Sequence, residues 1–241
     1  MVQLLQRILT ELESNSKEKS VAVLATFVDW ENAFPRQCLT LGVKSFIENG
    51  VRPALIPILI SYFKDRYMSV KWHGKTSVLK HIKGGGPQGA TIGLLEYLSQ
   101  SNSNADCVNI NDRFKFIDDL SVLEIINLIT IGLASHNLKG QVPSDVPTHN
   151  QIIPAENLQT QKWLNSIQKW TKEQKMVINS KKTKAMVFNF STNQFTTRLK
   201  LNDEDIEIIE HTKLLGTQIE NDLKWDLNTK SLVKSCPERT L

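Results

Sequence analysis

Three aspartates in this sequence stand where they could hold a divalent cation. Asp29 follows a continuous apolar run that begins at Val21, and Asp118 and Asp119 stand side by side between two apolar segments. Adjacent carboxylates repel each other, and hairpin turns prefer Asn-Gly or Asp-Gly to a pair of acids. A shared cation would offset that repulsion, and magnesium prefers hard oxygen ligands of this kind. Taken alone, the pair could also be a solvated turn, and Asp29 a helix cap or an Asx turn.

A glycine-rich segment, GGGPQGATIG from Gly84 to Gly93, is the second block with chemical content. Glycines let the backbone come close to a ligand, although glycine-rich loops are also common connectors. The segment is no P-loop, because it lacks the Gly-Lys-Ser/Thr ending. FVDWENAFPR, Phe27 to Arg36, precedes it, and FIDD, Phe116 to Asp119, follows it. The three blocks in this order carry more information than any of them alone.

The elements that must position these blocks predict an α+β fold. Helical spacing is found over about residues 2–12, over two segments joined by a turn between 36 and 62, over 90–100 and over 155–176. Strand patterns lie at 21–28, in hairpins at 67–82 and 113–126, and in four runs after residue 183. Residues 139–154, with three prolines, predict a surface loop. This order of elements predicts a sheet with helices packed on one face.

Composition limits the class of protein. The 241 residues are 40% hydrophobic and 22% charged, which is enough for one substantial core, and the net charge of +4 is compatible with a polyanionic partner. Three distant cysteines, Cys38, Cys107 and Cys236, favour a reducing compartment over a disulfide framework. No apolar run could span a bilayer. We therefore expect an intracellular protein, cytoplasmic or nuclear, without a membrane partner. The five tryptophans are spread along the chain and predict no aromatic stacking platform.

At these blocks the chain resembles reverse transcriptases. DWENAF, Asp29 to Phe34, is similar to their first palm motif, GGGPQGATIG to their G-x-P-Q-G motif, and FIDD to their aromatic-x-Asp-Asp box. INSKKTKAMVF, Ile178 to Phe188, resembles their lysine motif, and KLLGTQI, Lys213 to Ile219, the Leu-Gly turn near the primer grip. The five motifs cover most of residues 20–225, and the last two are most similar to polymerases of retrotransposons without long terminal repeats.

The resemblance implies a fold and an activity. The fold would be a polymerase palm, an antiparallel sheet with a split βαβ, ferredoxin-like core, in which residues 1–225 form the reverse transcriptase domain and 226–241 begin the thumb. The activity would be RNA-directed DNA synthesis with two Mg²⁺ ions, or Mn²⁺ in their place. The partners would be an RNA template, a DNA primer and deoxynucleoside triphosphates. By this resemblance we expect a palm with partial fingers and only the start of a thumb, without the nuclease of such polymerases, and an activity that the isolated chain would show weakly or not at all. The alternative is therefore a catalytically silent, nucleic-acid-binding remnant of a mobile element.

The resemblance also assigns roles residue by residue. The metal ligands would be Asp29, Asp118 and Asp119. The incoming nucleotide would meet Ala33, Phe34, Pro87, Gln88 and Gly89. The primer end would meet Phe116, Leu215 and Gly216. Lys182 would act at the pyrophosphate leaving group, with Lys181 and Lys184 as alternatives. Phe34 would exclude a 2′-hydroxyl, although the residue alone would be interpreted as a core aromatic. Ile117 departs from the family, which more often has alanine there.

Overall fold

The computed structural model describes residues 1–14, 21–128, 150–190 and 194–235. Most of the predicted loop at 139–154 lies outside the described residues, as do Cys236 and the end of the expected thumb segment. The predicted boundary after residue 225 stays a prediction. Cys38 and Cys107 carry free thiols.

The described residues form six α-helices and a set of mostly short strands. The helices are α1 (Val2–Ser14), α2 (Leu39–Glu48), α3 (Ile56–Phe63), α4 (Thr91–Ser101), α5 (Gln159–Gln174) and α6 (Asp226–Ser235). Two 3₁₀ turns cover Pro53–Leu55 and Ala155–Asn157. The strands are β1 (Val21–Val28), β2 (Tyr67–Met68), β3 (Lys71–Trp72), β4 (Lys75–Thr76), β5 (Lys80–His81), β6 (Arg113–Phe116), β7 (Asp119–Asn127), β8 (Asn150–Ile152), β9 (Lys184–Phe188), β10 (Gln194–Thr196), β11 (Lys200–Leu201), β12 (Glu204–Asp205), β13 (Glu207–Ile208), β14 (His211–Leu214) and β15 (Thr217–Glu220).

The central sheet has the order β13-β9-β1-β7-β6. Strands β9, β1, β7 and β6 are each antiparallel to their neighbours, while β13 joins β9 in parallel. Numbered along the chain as strands one to four, β1, β6, β7 and β9 follow the order 4-1-3-2. This is the split βαβ arrangement of a ferredoxin-like core, so the predicted α+β fold class is confirmed and is compatible with a polymerase palm.

Both faces of the sheet are covered. On one face, Tyr97 of α4 and Ile167 of α5 share a core with Ala22 and Leu24 of β1. On the other face, α1 shares a second core with the alternate residues of β1, which include Val23. The expected single helical face therefore describes α4 and α5, and α1 adds a helix on the opposite face. Burial on both sides explains the almost wholly apolar sequence of β1, in which Thr26 is the one polar residue.

Helix α1 buries only some of the apolar residues that its sequence places on one face. Leu4, Ile8 and Leu12, four residues apart, are buried. Val2 and Leu9 belong to the predicted apolar face but are exposed. Because α1 has more apolar positions than one stripe can hold, the shape of the sheet and not the periodicity decides which of them are buried.

Helix α5 begins later than the sequence predicts. The segment from Ala155 first forms a 3₁₀ turn, and the α-helix starts at Gln159. The backbone N–H groups of Gln159 and Thr160 donate to the two carboxylate oxygens of Glu124 on β7, at 2.8 and 2.7 Å. An anion at a helix amino terminus satisfies free N–H groups and the helix dipole. The long-range carboxylate, which local sequence cannot reveal, thus fixes the start of α5.

No described helix combines the length and apolar character that crossing a membrane requires.

Replacing Ile8 with alanine should reveal whether α1 supports the sheet. Ile8 is 0% exposed, so the loss of its buried methyl and methylene groups should lower the free energy of unfolding by roughly 2–5 kcal/mol. Leu9→Ala is the matched control, because Leu9 is 38% exposed and its loss should cost less than about 1 kcal/mol. Urea unfolding measures both variants. Equal destabilisation by the two would contradict the burial of Ile8 against the sheet.

Candidate active site

Strand register places the three aspartates at one edge of the central sheet. The last pair of the β1–β7 ladder joins Val28 to Leu120. The next residue of β1's chain, Asp29, therefore lies beside Asp119, the first residue of β7. Asp118 occupies the two-residue turn between β6 and β7. All three predicted metal ligands thus lie at the same sheet edge, two at strand ends and one in a turn.

The turn that carries Asp118 contains a strained residue. Ile117 has φ +56°, in the left-handed region that a β-branched side chain rarely adopts. Such a conformation typically costs about 1–3 kcal/mol and persists only where the surroundings impose it. Here the Ile117 side chain packs against the core on the α4–α5 face. The core therefore holds the turn, and with it Asp118, in place.

The carboxylates influence one another's ionisation. Burial raises the pKa of Asp29, the charge of Lys182 lowers it in part, and the neighbouring Asp118 raises it. Burial also raises the pKa of Asp119, and Asp118 and then Asp29 raise it further. The buried Oδ2 of Asp29 has no hydrogen-bond partner among the described residues. An oxygen of this kind beside two further carboxylates suits a cation.

The site fits a metal in donor type and charge, but it is no closed cage. Within the ranges that the structure describes, no three His, Cys, Asp or Glu side chains are grouped closely enough to hold an ion by themselves. Magnesium keeps waters and substrate phosphate oxygens in its shell, so it can be held with a substrate's help. The residues that would contribute from this chain are Asp29, Asp118 and Asp119.

The lysine segment is anchored directly beside Asp29. The backbone N–H of Asp29 donates to Oγ1 of the buried Thr183 at 3.2 Å. The N–H of Asn179 donates to the Asp29 carbonyl at 2.8 Å. Thr183 and Asn179 therefore position the loop between them, which contains Lys182. Both residues lie in the predicted lysine motif, but sequence reasoning assigned them no role.

Among the three candidate lysines, electrostatics and ion pairing favour Lys182. Its charge acts on the ionisation of Asp29, although its side chain is exposed. Lys184 is engaged elsewhere, because its Nζ forms a salt bridge with Glu207 at 2.5 Å. Lys181 has no ion pair with any described residue.

Four of the residues expected around an incoming nucleotide line one cavity. It has a volume of about 460 Å³, and its lining includes Phe34, Pro87, Gln88 and Gly89. Ala33, the fifth expected residue, is buried in the core instead. The structure thus brings the first motif and the glycine-rich loop together, and the roles of these residues toward a nucleotide stay predictions.

Close backbone packing fixes the glycine-rich loop at this cavity. The N–H of Gly86 donates to the carbonyl of Phe34 at 3.0 Å. Gly93 on α4 lies so near the Pro87 carbonyl that a β-carbon there would collide with it. Gly85 has φ +83°, a conformation that side chains disfavour. Glycine at these positions therefore lets the loop approach both the first motif and α4.

Tyr97 also belongs to the site, although sequence reasoning did not select it. Its ring stacks on Phe34 with centroids 4.8 Å apart and an interplanar angle of 28°. The side chain is fully buried, and its hydroxyl has no partner in the described part of the chain. Burial raises the pKa of Tyr97, and Asp118 and Asp119 raise it further. Tyr97 thus supports the ring of Phe34 from within the core, and it lies close enough to Asp118 and Asp119 to feel their charge.

A buried polar cluster lies against the glycine-rich loop and was likewise missed. Glu96 is fully buried, Gln37 is 1% exposed, and the polar ends of both lack partners among the described residues. A β-carbon on Gly86 would meet both side chains. Burial raises the pKa of Glu96 to about 7, and the charge of Arg66 lowers it in part. Arg66 itself donates to the carbonyl of Gly85, so the cluster is tied to the loop.

A second cavity lies on the α1 face of the same sheet edge. It has a volume of about 670 Å³ and is lined by α1, by the β6–β7 hairpin and by the β14–β15 turn. Phe116, Asp119 and Leu215 all line it, so two of the expected primer-end residues flank one carboxylate. Gly216 shares the turn with Leu215, and both have the positive φ that a two-residue hairpin turn favours.

No family model matches the chain, and no curated protein matches its sequence. Two solved structures of apo telomerase from Candida tropicalis align with it at low identity. The form truncated from its C-terminal domain has a TM-score of 0.44 and 15% identity, over 89% of this chain and 37% of its own. The other has a TM-score of 0.49 and 14% identity, over 92% of this chain and 35% of its own. The chain thus spans little more than a third of their length, and its fold is defined by its own strand order and register.

Replacing Glu96 with glutamine should remove a pH dependence from the stability of the fold. The ordinary pKa of a glutamate is 4.5, while burial holds that of Glu96 near 7 in the folded protein. The folded state therefore binds the proton more tightly, so the free energy of unfolding falls as the pH rises from 4.5 to 7. At pH 8 we expect Glu96→Gln to exceed the parent in stability by up to about 3 kcal/mol in urea unfolding.

The control for this variant is Glu173→Gln, which removes an exposed carboxylate from α5. It should leave the pH profile of unfolding unchanged. If the parent and Glu96→Gln lost stability in parallel over the same pH range, the burial of a titrating Glu96 would be refuted.

Proposed function

We propose that this chain carries the catalytic palm of a reverse transcriptase from a retrotransposon without long terminal repeats. It would add deoxynucleotides to a primer 3′-hydroxyl under the direction of an RNA template. One observation carries the proposal. The three aspartates lie at one sheet edge, with the cavity of Phe34 and Gln88 on one side and the cavity of Phe116 and Leu215 on the other. The five motifs that resemble reverse transcriptases support the same function.

The carboxylates would serve an in-line phosphoryl transfer. In this chemistry two Mg²⁺ ions, or Mn²⁺ in their place, about 3.5–4 Å apart stabilise the attacking and leaving oxygens. Asp29, Asp118 and Asp119 would hold them together with phosphate oxygens of the substrate. Two of the three carboxylates stand at strand ends and the third in a core-anchored turn, so the chain holds them without ordering a loop first. Pre-positioned charge of this kind is the main source of catalysis in phosphoryl transfer.

Lys182 would stabilise the pyrophosphate leaving group. It extends from a loop that Thr183 and Asn179 fix to the backbone of Asp29. A cation in this place can offset the negative charge that develops on the leaving pyrophosphate. Lys184 is less suited, since it is paired with Glu207.

Phe34 would select the sugar of the nucleotide. Its ring is held by stacking on the buried Tyr97, and it lines the cavity that also contains Gln88. The ring cannot swing away without breaking that stack, so it would occupy the space that a 2′-hydroxyl needs. The geometry therefore supports a preference for deoxynucleotides.

The groove of Phe116 and Leu215 would receive the primer end. Phe116 is 57% exposed and Leu215 40% exposed, and both line the cavity that reaches Asp119. Apolar surface suits the sugar and base of a terminal nucleotide, while the carboxylate marks where its 3′-hydroxyl would react. The primer and the nucleotide would thus approach the carboxylates from opposite faces of the sheet edge.

Removing two of the carboxylates should abolish both metal binding and synthesis. We expect Asp118→Asn/Asp119→Asn to bind Mn²⁺ at least tenfold more weakly in electron paramagnetic resonance titrations, because the remaining Asp29 alone is a weak ligand. Extension of an oligo(dT) primer on an RNA template with Mg²⁺ should be lost in the same variant. Metal affinity of the parent should rise with pH, because the raised pKa values of Asp29 and Asp119 make protons compete for the ligands.

The matched control is Asp203→Asn/Asp205→Asn, which removes the same charge from exposed positions around the β11–β12 hairpin. It should bind Mn²⁺ like the parent. Metal binding that is equal in both double variants would refute the carboxylate site. Metal binding without any extension by the parent would favour the silent nucleic-acid-binding remnant.

Shortening Phe34 should relax the choice of sugar. We expect Phe34→Ala to lower the preference for deoxynucleotides over ribonucleotides at least tenfold, measured as the ratio of kcat/KM values in primer extension. Tyr97→Phe keeps the ring beneath Phe34 and removes only a hydroxyl, so it should retain the parent ratio. An unchanged ratio in Phe34→Ala would remove Phe34 from sugar selection.

A further inference from the structure

The hairpin made by strands β2 to β5 stands away from both cores. Every residue from Tyr67 to His81 is exposed. Strand β2 pairs with β5 and β3 with β4, and the tip is a two-residue turn in which His73 and Gly74 both have positive φ. A two-stranded hairpin without a core of its own is only marginally stable. This arm therefore stands to gain stability from a bound partner.

The hairpin and its flanks hold the positive charge of the chain. Between Lys64 and Lys83 there are six lysines or arginines and a single aspartate, which makes the segment net +5, whereas the whole chain is +4. The remainder of the chain is thus slightly acidic. The weakly basic composition conceals one strongly basic arm on an otherwise near-neutral protein.

Most of these cations have no acidic partner. Lys71, Lys75, Lys80 and Lys83 are exposed, and none forms a salt bridge with a residue that the structure describes. Two cations of the segment do lie near an acid. Lys64 is 3.9 Å from the neighbouring Asp65, and the charge of Arg66 acts on the buried Glu96. Unpaired charges of one sign on a projecting arm create a local positive potential, which attracts a polyanion.

Exposed aromatic rings lie among these charges. Trp72 is 73% exposed and pairs across the hairpin with Lys75. Tyr67 is 61% exposed and precedes Met68, which pairs with Lys80. Although the tryptophans are spread along the sequence, the hairpin brings two exposed rings to one basic arm. Basic surfaces with exposed aromatic rings are how proteins bind single-stranded nucleic acids.

The base of the hairpin leads to the candidate active site. The N–H of Ile82 donates to the carbonyl of Arg66 at 2.8 Å, and the chain then enters the glycine-rich loop at Gly84. Arg66 also donates to Gly85 within that loop. A cavity of about 830 Å³ lies at this base, and its lining includes four cations, Arg36, Lys64, Lys83 and Lys175, against one acid, Asp65. A basic path therefore runs from the tip of the hairpin to the loop that carries Gln88.

We propose that the segment from Lys64 to Lys83 and the cavity at its base bind a single-stranded nucleic acid. The phosphates would contact the unpaired lysines, and bases would stack on Trp72 and Tyr67. In the proposed function this strand would be the template, and that assignment rests on the proposed function. The binding of a single strand by the hairpin does not. The backbone chemistry is shared by RNA and DNA, so both are candidates for the strand.

The test measures the binding of fluorescein-labelled 20-nucleotide oligo(rA) and oligo(dA) by anisotropy, over a range of salt concentrations and with EDTA present. Lys71→Gln/Lys75→Gln/Lys80→Gln should bind at least tenfold more weakly than the parent. Each phosphate contact with a single strand contributes about 0.7 to the slope of log K against log salt. The triple variant should therefore lower the magnitude of that slope by about 2.

The matched control removes three lysines from the exposed side of α5. Lys162→Gln/Lys169→Gln/Lys172→Gln has the same net charge as the hairpin variant, and all three positions are exposed. It should bind within about twofold of the parent. Trp72→Ala should weaken binding roughly five- to hundredfold, as expected for the loss of one stacked base. Circular dichroism and urea unfolding should confirm that each variant is folded.

Several outcomes would overturn the proposal. Equal losses in the two triple variants would mean that only net charge matters, and an unchanged slope in the hairpin variant would mean that the arm makes no phosphate contacts. Binding to vesicles containing phosphatidylserine without binding to either oligonucleotide would assign the arm to a membrane surface. Preference for oligo(rA) or for oligo(dA) supports the proposal and identifies the strand.

The same assay separates this inference from the proposed function. Asp118→Asn/Asp119→Asn should bind the oligonucleotides at least as tightly as the parent, because EDTA removes the metal and the variant lacks two negative charges that repel the strand. Loss of strand binding by the hairpin variant together with parent-like Mn²⁺ binding supports both ideas independently. If the hairpin variant binds the strands normally and the double aspartate variant still loses Mn²⁺ binding, the role of the hairpin in strand binding is refuted. The carboxylate site is then unaffected.

Discussion

The antiparallel pairing of β1 with β7 decides where the three aspartates meet. Strand β1 is buried on both faces, so a shift of one residue would exchange Val23 and Leu24 between two different cores. The register is therefore fixed by packing, and the pair of Val28 and Leu120 brings Asp29 beside Asp119. Apolar burial along the strand supplies the free energy that holds like charges together at its end. The raised pKa values of both carboxylates are the electrostatic cost of that arrangement.

The same sheet edge separates the two cavities of the site. Phe34 packs against the core shared with α4 and α5, whereas Phe114 and Leu214 pack against the core shared with α1. A cavity opens on each side, and Asp119 lines the one on the α1 face. If the proposed reaction joined two substrates at one metal centre, it would need access from two directions, and these two cavities would supply it. Tyr97 holds the ring of Phe34 from within the core.

Much of the fold was predictable because its signals are local. The strand β1 and the hairpins at 67–82 and 113–126 follow from neighbouring residues, although the turn between β6 and β7 consists of Ile117 and Asp118, and Asp119 already begins β7. Helix α4 shows where local signals fail. Leu95 is 50% exposed, yet its neighbour Glu96 is fully buried against α2 and the glycine-rich loop. An acid is rarely buried without a partner, so no sequence pattern indicates this inversion. Distant residues also decide which residues of α1 are buried and, through the carboxylate of Glu124, where α5 begins.

Positive and negative charges are concentrated at two different places in the molecule. The basic segment from Lys64 to Lys83 attracts a polyanion, while the aspartate cluster at the sheet edge repels one. A strand guided along the hairpin would meet this repulsion as it neared the loop of Gln88. A cation bound by the aspartates would reverse the local sign, so metal and nucleic acid would each favour the binding of the other. The hairpin would thus bind a strand with or without metal. The sheet edge, in contrast, would bind phosphate groups only when its aspartates hold a metal ion.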